Sequence, residues 1–276
     1  MAGTEFGAGE IRALARELNL RPTKTLGQNF VIDPGTTAKI VRHAGVEPGD
    51  RVLEIGPGLG SLTLALLEAG AHVTALEIDP RLAARLPQTV AERGYKNLRV
   101  IEGDALQLTA EQLAEAPSKL VANLPYNVAV PAILRALEEL DSLEVVDVMV
   151  QKEVADRLAA DPGSRTYGVP SLKAAWYGKV SRGPLIPRSV FWPVPNVDSA
   201  LVRIDRAPAP GTDREACFAI IDAAFSQRRK TLRQSLARWA GSPQRAEEIL
   251  SAAGIDPKQR AERLSIGDVC AIASHA

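Results

Sequence analysis

A chain of 276 residues, 46% hydrophobic and 24% charged, has enough apolar material for one large domain or for a large and a small one. Its 33 basic and 33 acidic residues cancel, which excludes a global basic field, and no apolar run is long enough to cross a bilayer. Two cysteines outside any CxxC, three scattered histidines (His43, His72, His275) and no signal peptide argue against a disulfide scaffold, a metal cluster or a nucleophilic triad, and point to a soluble cytoplasmic protein.

Residues 8–19 carry Ile11, Leu14, Ala15 and Leu18 at helical spacing and predict a short amphipathic helix. The arm that follows, Arg21 to Asp33, mixes basic, amide and aromatic groups and by itself reads as a solvated connector. Asp33-Pro34 supplies an N-cap and a first helical residue for a helix to about Ala44. Arg51 to Gly56 reads as a strand, and GPGLGSLT (56–63) turns it into a helix. Glycines there let the backbone approach a ligand, and the helix start favours anionic or carboxylate groups. The next strand, His72 to Ile78, ends on Glu77, which lies 21 residues after Gly56, where a carboxylate reaches a ribose diol. Taken alone, these glycines and this acid fit an NAD-type dinucleotide and S-adenosylmethionine equally.

A third strand, Leu98 to Ile101, delivers Asp104, which either accepts from an adenine amino group or caps the next turn. Then comes KLVANLPYN (119–127), an apolar strand broken by Asn123-Leu124-Pro125-Tyr126. At the carboxyl end of a strand this tetrapeptide offers an amide, a carbonyl before proline and an aromatic face. That set suits an amino group on a flat ring, and it also describes an ordinary turn. An Ala/Leu helix follows, then a fifth strand from Glu144 to Val150 and a helix from Gln151 to Ala160. The alternation predicts a doubly wound α/β sheet with mostly parallel strands.

A helix from Gly168 to Tyr177 and a strand from Gly178 to Leu185 lead to FWPVPNVDS (191–199), too proline-rich for a central strand. Phe191 and Trp192 there read as core plugs or as a stacking platform. Residues 200–204 form a further strand. Ala207 to Gly211 is a linker, so residues 1–206 and 207–276 are expected to be two domains, the second all-helical. Thr212 and Glu215 match a capping box. From Arg206 onward there are 11 basic and 8 acidic residues, against 22 and 25 before it. Arg228, Arg229, Lys230 and Arg233 cluster in this tail, with Arg229 and Arg233 one turn apart if the segment is helical.

Seven stretches in order, LGQNFVID (26–33), VLEIGPGLGSLT (52–63), ALEID (75–79), EGDAL (102–106), ANLPYN (122–127), VFWPVPNVDSALVR (190–203) and AFSQRRKTLRQSL (224–236), resemble the ribosomal RNA adenine N6,N6-dimethyltransferase family. MVQKEVADRLAADPGSRTYG (149–168) is similar to its bacterial small-subunit type rather than to relatives acting on large-subunit RNA. The resemblance implies a Rossmann-like sheet that binds S-adenosyl-L-methionine, with Asn29, Val31, Gly56, Glu77, Asp104 and Asn123 lining the site. Val31 stands where the family more often has leucine. The resemblance further implies that Asn123, Leu124, Pro125 and Tyr126 handle the target amine, with Phe191 as the second wall of the adenine slot. Arg228, Arg229, Lys230 and Arg233 would help hold RNA. The implied enzyme is a monomer without metal, which dimethylates two adjacent adenosines near the 3′ end of small-subunit ribosomal RNA within a pre-30S particle. A large-subunit RNA methyltransferase and a noncatalytic assembly or transcription factor are the competing readings, the latter disfavoured by the intact Glu77, Asp104 and NLPY corner.

Overall fold

The computed structural model describes residues 6–20, 29–125, 128–227 and 229–276. The chain divides into two compact units, residues 1–155 with 181–206, and residues 156–180 with 207–276. The second unit therefore takes residues 156–180 as well as the helical tail.

In the first unit, helix α1 (Ala8–Glu17) is followed by β1 (Phe30–Val31) and α2 (Pro34–His43). The alternating part then runs β2 (Arg51–Ile55), α3 (Ser61–Glu68), β3 (His72–Glu77), α4 (Pro80–Ala91), β4 (Leu98–Glu102), β5 (Lys119–Asn123), α5 (Ala129–Glu139) and β6 (Val145–Gln151). Helix α6 (Lys152–Leu158) and helix α7 (Val169–Tyr177) come next, then β7 (Gly178–Ile186), β8 (Phe191–Trp192) and β9 (Ser199–Arg206). The main sheet has the order β4-β3-β2-β5-β6-β9-β7. Strands β2 to β6 pair in parallel, and β9 runs antiparallel to β6.

The sequence explains this arrangement locally. Leu120, Val121 and Ala122 of β5 are all fully buried, as expected of a strand covered on both faces. Helix α2 starts where expected, because the Asp33 carboxylate accepts the Thr36 N–H and Pro34 needs no partner. The strand order reverses between β2 and β5, so a crevice opens at their carboxyl ends. A separate two-stranded ladder pairs Phe30 with Trp192 and Val31 with Phe191. It fastens the arm to the proline-rich segment.

The second unit packs α7 against α8 (Arg214–Phe225), where the Phe218 ring meets Trp176 edge-on at 6.2 Å. Its other helices are α9 (Leu232–Ser235), α10 (Ala237–Ala240), α11 (Pro243–Ala252) and α12 (Ile266–Ser274). The Tyr167 hydroxyl donates to the Leu264 carbonyl at 2.6 Å, tying residues 156–180 to the tail. Two details differ from expectation. Helix α8 begins one residue later than the Thr212 capping box implied, because the Asp213 carboxylate caps it through Ala216 N–H. The helix then ends at Phe225, where Ser226 Oγ donates to the Ala223 carbonyl, and Thr231 caps a new helix. Arg229 and Lys230 thus lie in a turn, and Arg229 does not share a helix face with Arg233.

Candidate active site

The carboxyl ends of β2, β3, β4 and β5 surround one cavity of about 230 Å³. Asn29, Val31, Gly56, Glu77, Asp104 and Asn123 all line it, although they come from five separate stretches of chain. Leu124 and Pro125 complete the rim beside Asn123. The turn after β2 makes room for a ligand. Gly58 has φ +58°, and a Cβ on it would stand 2.9 Å from the Phe30 ring. Any side chain there would push Phe30 out of the wall it forms. Ser61, at the start of α3, donates through Oγ to the Val31 carbonyl at 2.7 Å and holds the arm against the glycine turn.

Glu77 is built in rather than dangling. Its Oε2 accepts the Gly58 N–H at 3.0 Å and its Oε1 accepts the Asp79 N–H at 2.9 Å. Burial raises its pKa, opposed by those two backbone donors. Each carboxylate oxygen keeps a lone pair for a further donor, which is what a vicinal diol presents. Asp104 performs the capping role the sequence allowed: its Oδ1 accepts the Leu106 N–H at 2.9 Å. The same residue lines the cavity, so capping orients it there. Ile78 and Leu106, at 53% and 40% exposure, add apolar surface on either side of the acidic corners.

The most informative hydrogen bond belongs to Asn123. Its Nδ2 donates to the Asn29 carbonyl at 3.1 Å. A carbonyl can only accept, so the NH2 end of the amide must face it and Oδ1 is the end left for a ligand. The arm therefore sets the polarity of Asn123 from 94 residues away in the chain.

Glu54 is a site residue that the sequence reading missed. It is buried in the cavity wall, with Thr63 Oγ1 donating to Oε2 at 2.6 Å. Burial, with the nearby Glu77 charge adding to it, pushes its pKa to about 8, against the Thr63 bond. Its signal in the sequence was an acid in the otherwise apolar VLEI strand.

Other expected residues fall elsewhere. Tyr126 and Arg228 lie outside the described residues. Phe191 does not line the cavity; its ring is 1% exposed and packed with Val31 and Leu201 in the core. Arg229 and Lys230 are exposed, while Arg233 pairs with Glu247 of α11 at 2.7 Å. Among the described residues no group of three or more metal-binding side chains gathers, and no helix is long and apolar enough to cross a membrane.

The chain is similar to known proteins over nearly its whole length. The ribosomal RNA adenine dimethylase family matches residues 19–276. A ribosomal RNA small subunit methyltransferase A from Thermobifida fusca is 60% identical over 271 residues, 96% of this chain and 94% of its own. The protein of the same description from Kineococcus radiotolerans is 59% identical over 274 residues, 98% of this chain and 91% of its own. Among solved structures, a dimethyladenosine transferase from Plasmodium falciparum has a TM-score of 0.75 at 26% identity, covering 87% of this chain and 94% of its own. The 23S rRNA methyltransferase ErmE has a TM-score of 0.67 at 26% identity, with 89% and 98% covered.

Proposed function

The chain belongs to the ribosomal RNA adenine dimethylase family, and from that premise we propose that it uses S-adenosyl-L-methionine to dimethylate the N6 amine of two adjacent adenosines near the 3′ end of small-subunit ribosomal RNA. The observation that carries the chemistry is the amide of Asn123, turned by the Asn29 carbonyl so that its oxygen is the end left for a ligand.

The cavity fits the donor. Glu77 holds the ribose hydroxyls, Asp104 accepts from the adenine amino group, and Ile78 and Leu106 flank the adenine ring. Asn29, Val31 and Gly56 supply wall and backbone. When bound, S-adenosylmethionine supplies an electrophilic methyl on a sulfonium. The adenine amine is a weak nucleophile because its lone pair is delocalised into the ring. Asn123 Oδ1 and the Leu124 carbonyl accept its two hydrogens and turn the lone pair toward the methyl. Pro125 has no N–H, so the peptide group that carries this carbonyl presents an acceptor and no donor. The nitrogen becomes acidic only after attack, so no protein base is required beforehand.

Tyr126 stacks on one face of the flipped base, and Phe191 backs the other once the base displaces what covers its ring. Arg229 and Lys230, in the turn after α8, face phosphates; Arg228 is assigned the same role, and Arg233 joins them by sharing its charge with Glu247. The second unit, residues 156–180 with the helical tail 207–276, is then the RNA-holding domain. The enzyme acts as a monomer, in the cytoplasm, on a pre-30S particle, without a metal. The test is methyl transfer to small-subunit particles from cells lacking the modification, with mono- and dimethyladenosine quantified. Transfer to large-subunit RNA instead would overturn the substrate assignment.

A further inference from the structure

Among the described residues five large apolar side chains are exposed: Ile78, Leu106, Leu185, Val194 and Val197. Single exposed hydrophobics are ordinary, so the placement of the group matters more than its existence. Ile78 and Leu106 already belong to the cavity. The remaining three fall within 13 consecutive residues, on the run that carries Phe191 and Trp192. Val194 is the most exposed of the five, at 60%.

The loop that presents Val194 is stiff and pinned at both ends. At its start, Phe191 and Trp192 are laddered to Val31 and Phe30, two wall residues of the cavity, and the Trp192 ring stacks on Phe30 at 6.3 Å. Pro193 and Pro195 bracket Val194 and fix two φ angles. At its end, Asp198 accepts the Arg188 N–H through Oδ1 at 2.9 Å and the Lys152 N–H through its carbonyl at 3.0 Å. An apolar tip on a rigid loop is poorly suited to water, and a structured RNA that gives up a base opens an apolar gap of matching kind.

We infer that Val194 is a wedge: its side chain enters the stack of the RNA where the target adenosine has left it, with Val197 as the shoulder against the neighbouring base. Nucleic-acid-bending proteins insert apolar side chains between base steps in the same way. Val194 is thus a positioning residue, acting through the population of extruded base and not touching the reacting atoms. This inference rests on the reading that the substrate is adenine in structured RNA.

The experiment compares wild-type enzyme with Val194→Ser and Val194→Leu on small-subunit particles reconstituted with either of two RNAs. One carries the intact hairpin; in the other the nucleotide on one side of the target is abasic, so that little stacking is lost on extrusion. A fluorescent aminopurine beside the target reports opening of the stack, and single-turnover transfer and donor affinity are measured in parallel. Val194→Ser should cut both opening and transfer on the intact hairpin by about tenfold, with donor affinity unchanged. Val194→Leu should restore them, and the abasic RNA should bring Val194→Ser back to the wild-type rate. Wild-type opening and transfer by Val194→Ser would overturn the wedge. So would a loss that the abasic RNA does not rescue, since the defect is then in the fold of the loop. If the wild-type enzyme transferred no methyl to either RNA, the functional reading itself would fall and take the wedge with it.

Discussion

Asn123 does two things with one amide: it donates to the Asn29 carbonyl and keeps its oxygen for a ligand. Asn123→Ala removes the preorganised acceptor, and single-turnover transfer should fall by about 10²–10³-fold, far more than donor affinity. Both methyl transfers should suffer, since the monomethylated amine still needs an acceptor for its last hydrogen. Near-normal transfer by the variant would reduce Asn123 to a turn residue. Glu77 tests the donor side separately. With Gly58 and Asp79 N–H groups holding its carboxylate in place, Glu77→Ala should weaken S-adenosylmethionine by about 1–3 kcal/mol, and NAD should not bind wild-type protein. Calorimetry on both ligands decides the point.

At the scale of elements, the turn from β2 into α3 and the turn from α8 into α9 carry opposite design logic. The first is closed and tight. Gly58→Ala forces an L residue to φ +58° and drives its Cβ to 2.9 Å from Phe30, so thermal unfolding should show a loss of about 1–2 kcal/mol or more, together with weakened donor binding. Gly49→Ala, also at positive φ but with open space around its Cβ, should keep donor binding intact. The second turn is open and exposed. Replacing Arg229 and Lys230 together should flatten the dependence of RNA affinity on salt, by about 0.7–0.9 in the log–log slope per lost contact. An unchanged slope would make the pair a solvated turn.

For the whole molecule, the buried carboxyls of the first unit set a pH dependence. Burial raises Glu54 to about 8 from an ordinary 4.5, and Asp147 to about 6 from 3.8 despite His43 at 2.6 Å. A carboxyl with a raised folded pKa holds its proton more tightly in the folded chain than in the unfolded one. Stability should therefore be fullest in mild acid and decline as pH climbs toward about 8. Glu54→Gln keeps an acceptor for Thr63 and never ionises. It should flatten the decline between about 6 and about 8 and leave the remainder to Asp147 and to Glu77, whose pKa burial also raises. Denaturant melts of both proteins across that range, without donor, check the sign. A wild-type curve that rises with pH through this window would mean that Glu54 is ionised in the folded protein.

Much of this protein was legible before any fold was considered, because its signals are local. The period of apolar residues, Asp33-Pro34 and the glycine turn each mark an element within a few residues of chain, and the structure has the corresponding elements within one to three residues. What the local signals could not decide was polarity, contact and company. Asn123 reads as either a ligand-facing amide or a turn former until the Asn29 carbonyl meets it. Glu54 reads as an odd acid in a strand until the cavity forms beside it. Arg229 and Arg233 read as one turn apart on a helix face until Thr231 starts a new helix and Glu247 takes Arg233. Residues 156–180 read as part of the sheet domain until Tyr167 bonds to Leu264 and Trp176 meets Phe218. In each case the deciding partner lies many residues away or in a competing cap. Hydrogen-bond direction, desolvation and aromatic packing are set by what the folded chain brings within a few ångströms, and only the tertiary structure supplies that.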